Sequence, residues 1–253
     1  MKSYYRLVNY HLLSIIKPLM LIYAGTIASI LILLSVAMQD YSNKYSRFEQ
    51  LFVSSGCVIA FAVCFVATCG LCMASIYARY WKSKSIYTLL TLPVKREIIY
   101  FSGLTAFFIC LAGFIASSLI GIFLGYAFFA PTLIRVVNNQ IYYPRMQNGL
   151  FLALIRSGLF RMLIPLSAES FVLSLAMLIT ITITLYYGVI CERSRRYFSL
   201  LTAVAAVIFT IYTAAQRINM SNANMYINSA ILLFCSALFA WHGMQLVKRS
   251  SIV

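Results

Sequence analysis

The sequence predicts an all-α, polytopic membrane protein with six transmembrane helices, and three observations predict it. Hydrophobic residues fill 62% of the 253 positions and charged ones only 10%, where a soluble domain carries roughly a quarter charged. The apolar excess falls in blocks long enough to cross a bilayer, for which about 20 residues suffice. The basic residues gather in the short stretches between those blocks. In a bilayer only helices and closed barrels satisfy their backbone groups, and continuous rather than alternating apolar runs mark helices. No internal repeat or low-complexity linker divides the chain, so residues 1–253 are expected to form a single transmembrane domain.

Taken in order, residues 1–17 interleave tyrosines and leucines with Lys2, Arg6 and Asn9. That is the pattern of an interfacial helix lying along a membrane surface, and Pro18 marks the turn inward. The first span is expected at 19–38. Its "SVA" at 35–37 is a passable signal-cleavage site, but the apolar run is longer than a signal core and five more spans follow, so it should be retained. The second span is expected at 51–76.

The stretch "SIYTLLTLPVKREIIYFSGL", residues 85–104, comes next. Ile86, Leu89, Leu90 and Val94 recur with the spacing of one helix face, which predicts a short amphipathic helix. Pro93 disfavours helical geometry at Leu92 and should end it. The same proline fits the first turn of the following helix, where a missing N–H costs nothing, and Glu97 suits that helix's positive end.

The third span is expected at 101–129. Gly113, Ser117, Gly121 and Gly125 recur every four residues along it, and small residues at that spacing let another helix approach closely. The partner is either a helix of the same chain or a second subunit. The loop of residues 130–168 contains "GLFLALIRSGLFRMLIP", in which Arg156, Ser157 and Arg161 share one sector of a helical projection. Two arginines make a full span unfavourable, so an interfacial or partly re-entrant helix closed by Pro165 is expected there. The remaining spans are expected at 169–190, 199–216 and 226–247. In the fourth, Thr180 and Thr184 lie on one face and Tyr186 and Tyr187 at one end, which makes Thr180, Thr184 and Tyr186 candidates for lining an uncharged path. A threonine bonding back to its own helix is the competing role.

Loop charges predict the orientation. Lys2, Arg6 and Lys17, then Arg79, Lys82, Lys84, Lys95 and Arg96, then Arg193, Arg195 and Arg196, and finally Lys248 and Arg249 all fall on one side of a six-span chain. The opposite side balances Lys44 and Arg47 with Asp40 and Glu49, and carries Arg217 before the last span. The positive-inside rule therefore predicts both termini in the cytosol. The long loop, with Arg135, Arg145, Arg156 and Arg161, counts little in that rule because long loops translocate largely regardless of charge.

A net charge of +15 would suit nucleic acid, but no groove-reading motif accompanies it. Juxtamembrane lysines and arginines instead suit anionic lipid headgroups, so membrane lipids, and not nucleic acid, are expected partners. Cys69 and Cys72 form a C-x-x-C inside a span with no second pair nearby, which reads as buried apolar packing. The histidines are His11 and His242, near opposite ends of the chain, and Asp40 is the sole Asp. No catalytic residues and no metal ligands are therefore expected. The spans as drawn hold no Asp, Lys or Arg, which argues against ion-coupled secondary transport.

The phrase "YTLLTLPVKREIIYFSGL" resembles the cytosolic loop of membrane subunits of ATP-binding-cassette exporters, the type-2 permease family. There a pattern like L-x-x-L-P-V-x-R-x-x-I joins span two to span three, matched here by Leu89, Leu92, Pro93, Val94, Arg96 and Ile99. The resemblance implies that the short helix is a coupling helix contacting a cytosolic ATPase subunit through Ile86, Tyr87, Leu89, Leu90, Pro93 and Arg96. It also implies two ATPase copies carrying the ATP and Mg, a second permease subunit of the same or related sequence, and a bacterial plasma membrane. This chain has no G-x-x-x-x-G-K-[ST] of its own, so it is expected to bind no cofactor. Cargo would be hydrophobic or amphipathic: an antimicrobial-type peptide, a lipid or a drug. One feature departs from the family: its outer helices commonly precede the last span, whereas the long loop here follows span three. A non-transporting scaffold or immunity protein is the alternative function.

Overall fold

The computed structural model describes residues 2–40, 48–81, 95–129, 135–137, 140–142, 150–194, 197–218 and 224–249. Among them, six helices are long and apolar enough to cross a membrane, and the protein has the all-α architecture of a multi-pass membrane protein. The addition to that plan is a small antiparallel hairpin, β1 Arg135–Val137 and β2 Gln140–Tyr142, paired Val136 to Ile141.

The surface helix α1 spans Lys2–Leu13, and α2 spans Ile16–Asp40. Between them the Ser14 hydroxyl donates to the His11 carbonyl at 2.8 Å, satisfying one of the acceptors a helix end leaves free. Pro18 lies in the first turn of α2, the position it fits without losing a hydrogen bond. Span two differs from expectation. Its apolar run from residue 51 divides into α3, Phe48–Ser54, and α4, Cys57–Trp81. Gly56 between them has φ +79°, a left-handed conformation that side chains resist and that ends a helix.

Helix α5, Arg96–Phe129, has 34 residues and measures about 50 Å at 1.5 Å per residue. It is longer than the ~30 Å hydrocarbon core and extends five residues before the expected start. The segment expected as one interfacial helix is two: α6, Leu150–Arg156, and α7, Gly158–Leu163. They break at Ser157, whose side chain makes no capping bond. Helix α8, Ala168–Arg193, begins at Ser167, whose hydroxyl accepts from the Ser170 N–H at 3.2 Å. Helices α9, Tyr197–Ile218, and α10, Met225–Arg249, complete the chain.

The long helices form two groups of three. Helix α2 packs on α4 and α5, and α8 packs on α9 and α10, while α5 meets α8 and α10 to join the groups. Helix α1 lies against α5 through its buried face, Leu7, Val8 and His11. The largest core sits at the end opposite α1. There Ile30, Leu34, Phe48, Phe52, Cys57, Ile122, Leu154 and Phe160 pack together, with Phe52 and Phe160 edge-on at 4.8 Å. The apolar residues of α6 and α7 that would suit lipid are thus spent on α2, α3 and α5.

The small-residue stripe of α5 packs within the chain. A Cβ at Gly113 would stand 2.6 Å from the Tyr23 hydroxyl, at Gly121 3.0 Å from Ile30, and at Gly125 2.6 Å from Leu34. The Ser117 hydroxyl lies 3.4 Å from that of Thr26. Tyr23, Thr26, Ile30 and Leu34 recur every three to four residues, one face of α2 filling the groove. Of the two partners left open by the sequence, the structure shows the intrachain one.

Candidate functional site

Residues 82–94 connect α4 to α5, so the candidate site is the end of the bundle they join. Ile86, Tyr87, Leu89, Leu90 and Pro93 lie outside the described residues. Arg96 is described: it opens α5, exposed, one residue before Glu97. Around it Arg6, Lys17 and Lys95 are exposed as well, giving this end a basic rim.

Beneath the rim, an aromatic layer holds the helix ends together. Tyr100 on α5 is fully buried and meets Tyr186 of α8 edge-on, with ring centres 5.3 Å apart. Tyr186 also meets Phe107 edge-on at 5.5 Å. Two glycines make room: a Cβ at Gly103 would stand 2.8 Å from the Tyr186 hydroxyl, and one at Gly243 2.8 Å from that of Tyr100. The next residue, Tyr187, stacks on Phe239 at 5.1 Å, and its hydroxyl lies 2.6 Å from His242 Nδ1. Tyr4 of α1 hydrogen-bonds Thr105 of α5. The Tyr77 hydroxyl donates to the Glu192 carboxylate, linking α4 of one group to α8 of the other. Charge-assisted bonds of this kind are the stronger ones.

This layer couples the two groups of helices at the end where residues 82–94 enter. The α4 and α5 ends thus meet α8 and α10 through aromatic rings and the Tyr77–Glu192 bond. Among the described residues, no three His, Cys, Asp or Glu side chains gather where they could hold a metal ion.

The other sequence-selected residues are distributed along α8. Thr180 is fully buried; its hydroxyl bonds the Ala176 carbonyl at 2.7 Å and lies 3.2 Å from the Leu232 carbonyl of α10, so it serves the α8–α10 contact. Thr184 is buried with no hydrogen-bond partner for its hydroxyl among the described residues, which is uncommon for a buried hydroxyl. Tyr186 belongs to the aromatic layer. The structure therefore brings Tyr186 near Arg96's end of the bundle, leaves Thr180 deeper between α8 and α10, and keeps the Gly113 stripe on α2.

Sequence reasoning did not single out Tyr77, Tyr100, Gly103, Glu192 or Gly243. A glycine inside a helix costs about 1 kcal/mol, so Gly103 and Gly243 were the available signal: something must approach them closely.

Compared with family models, curated proteins and solved structures, the chain matches none.

Proposed function

We propose that this chain is the permease subunit of an ATP-driven exporter in a bacterial plasma membrane. Both termini would face the cytosol, and residues 82–94 would carry the coupling helix that docks into a separate ATPase subunit. The observation that carries this reading is the phrase Leu89, Leu92, Pro93, Val94, Arg96 and Ile99 at the junction of the second and third of six spanning helices. Two features support it. The junction joins helix ends that are rimmed with exposed Arg6, Lys17, Lys95 and Arg96, as the cytosolic face of a membrane protein should be. The aromatic layer behind it, with the Tyr77–Glu192 bond, offers a stiff route from the docking point to the other helix group.

In this function two ATPase copies, with their ATP and Mg, drive a pair of permease subunits, of the same or related sequence. The chain supplies the path for a hydrophobic or amphipathic cargo: a peptide, a lipid or a drug. Leu89 and Leu90 would fill an apolar groove on the ATPase while Arg96 faces its rim.

The test is the doubly charged variant Leu89→Asp/Leu90→Asp, coexpressed with a candidate ATPase subunit and reconstituted in proteoliposomes. Both changes lie outside the spans, so the bundle should keep its melting temperature while the ATPase no longer co-purifies and cargo efflux stops. Undiminished ATP-driven transport, or an undisturbed complex, would overturn the docking assignment. Intact ATPase binding with no efflux of any cargo in the unmodified complex would instead favour a scaffold.

A further inference from the structure

The end of the bundle opposite the aromatic layer carries a cation that the proposed function does not use. Arg217, the penultimate residue of α9, is only 5% exposed. Its Nη2 donates to the main-chain carbonyl of Arg161 at 2.6 Å, and its Nη1 donates to the Ser174 hydroxyl. Both acceptors are neutral. A guanidinium has five donors, and no carboxylate among the described residues pairs with it. Glu169, at the start of α8, is exposed and makes no bond to it.

The bond to the Arg161 carbonyl joins the two residues, and their guanidinium groups lie close enough to interact electrostatically. Arg161 is half-buried at the rim, its own Nε 3.4 Å from the Ser157 carbonyl. Two guanidinium groups near each other repel and are costly to bury, and the two neutral acceptors of Arg217 leave donors of the pair over for an anion. The position says which anion. Arg217 lies one residue from the end of a helix long and apolar enough to span, Phe198–Ile218, and the ends of such helices meet the headgroups of a bilayer. Its neighbour Ile218 is exposed, as is Phe171, three residues before Ser174 on α8, as acyl-chain contacts would be. Tyr212 and Tyr226 are each 55% exposed near the same end, the placement of aromatic residues at a membrane interface.

We propose that Arg161 and Arg217 form a seat for the phosphate of an anionic phospholipid headgroup. Arg217 pins the carbonyl of Arg161 and supplies buried positive charge, and Arg161 makes the accessible, bidentate contact with the phosphate. An anionic lipid fits better than a zwitterionic one because the latter brings its own cation to a site that already has two. The seat depends on the protein spanning a membrane and not on its coupling to ATP.

The test uses the full chain purified in neutral detergent, with thermal unfolding followed during titration with phosphatidylglycerol, phosphatidylcholine or inorganic phosphate. Phosphatidylglycerol should raise the melting temperature most. In Arg161→Gln its apparent affinity should fall about tenfold, the loss expected for one charge-assisted contact, while Arg161→Lys should recover part of it. Arg161 is at the rim, so its substitution leaves the lipid-free melting temperature near that of the parent. Arg217→Gln is the second variant, read by native mass spectrometry as loss of retained anionic lipid. Equal effects of the two lipids, an Arg161→Gln chain that binds phosphatidylglycerol as before, or full replacement of the lipid effect by inorganic phosphate would each overturn the proposal.

Discussion

The fit of Tyr23 over Gly113 gives the most exacting test of how the first group of helices is held. The Tyr23 hydroxyl donates to the Cys110 carbonyl at 2.5 Å, and a Cβ at Gly113 would stand 2.6 Å from that same hydroxyl oxygen. Gly113→Ala therefore pushes the ring off its acceptor. Losing the hydrogen bond costs about 1 kcal/mol, and forcing a methyl into a filled contact costs about 1–3 kcal/mol. The sum, about 2–4 kcal/mol, corresponds to a fall of about 4–16 °C in melting temperature for a chain of this size. Gly25→Ala on α2 is the control, because nothing lies within 4 Å of its Cβ position. It should be neutral, or stabilising by up to about 1 kcal/mol through helix propensity. The measurement is thermal unfolding in detergent of both variants and of Gly113→Ala combined with Tyr23→Phe. Removing the hydroxyl relieves the closest contact and leaves ring carbons at 3.1 and 3.2 Å, so the double variant should lose less than the sum of the two single losses. If Gly113→Ala unfolds at the same temperature as Gly25→Ala, or if the losses are additive, α2 does not occupy this groove.

Two further outcomes follow from contacts at opposite ends. Gly158→Ala places a Cβ 2.9 Å from the main-chain carbonyl oxygen of Ile218; backbone cannot swing aside, so about 1–3 kcal/mol should be lost, read as a lower melting temperature and faster proteolysis within residues 150–166. Tyr187→Phe removes the hydroxyl 2.6 Å from His242 Nδ1 while keeping the ring stacked on Phe239, and the loss should be about 1 kcal/mol. Replacing His242 in the Tyr187→Phe background should then add less than it does alone, which a double-mutant cycle measures.

Much of the plan was legible before any coordinates. The six spans were readable because lipid offers no hydrogen bonds, so each crossing must be a long apolar helix whatever its neighbours are. Pro18 in the first turn of α2 and the N-terminal helix α1 are local signals of the same kind. The division at Gly56 was less legible: Ser54-Ser55-Gly56 is only a short break in the apolar run of residues 51–76, and the left-handed backbone of Gly56 is what separates α3 from α4. The pair α6 and α7 reads in the sequence as one interfacial or partly re-entrant helix because its leucines and phenylalanines suit lipid as well as they suit a protein core. Hydropathy cannot distinguish these two apolar surroundings.

The candidate site divides in the same way. The basic rim at Lys95 and Arg96 could be read from composition. The bond from Tyr77 to Glu192, separated by 115 positions, and the seating of Tyr100 over Gly243 depend on which helices become neighbours. What the sequence by itself determined is the number of crossings, their approximate limits and the asymmetry of charge between the two ends, since each follows from residues within one stretch meeting lipid or water. Only the tertiary structure decided that the glycine stripe of α5 receives α2, that α8 lies between α9 and α10, and that Arg217 meets Arg161. Those outcomes depend on shape complementarity between distant segments, to which an apolar pattern is indifferent.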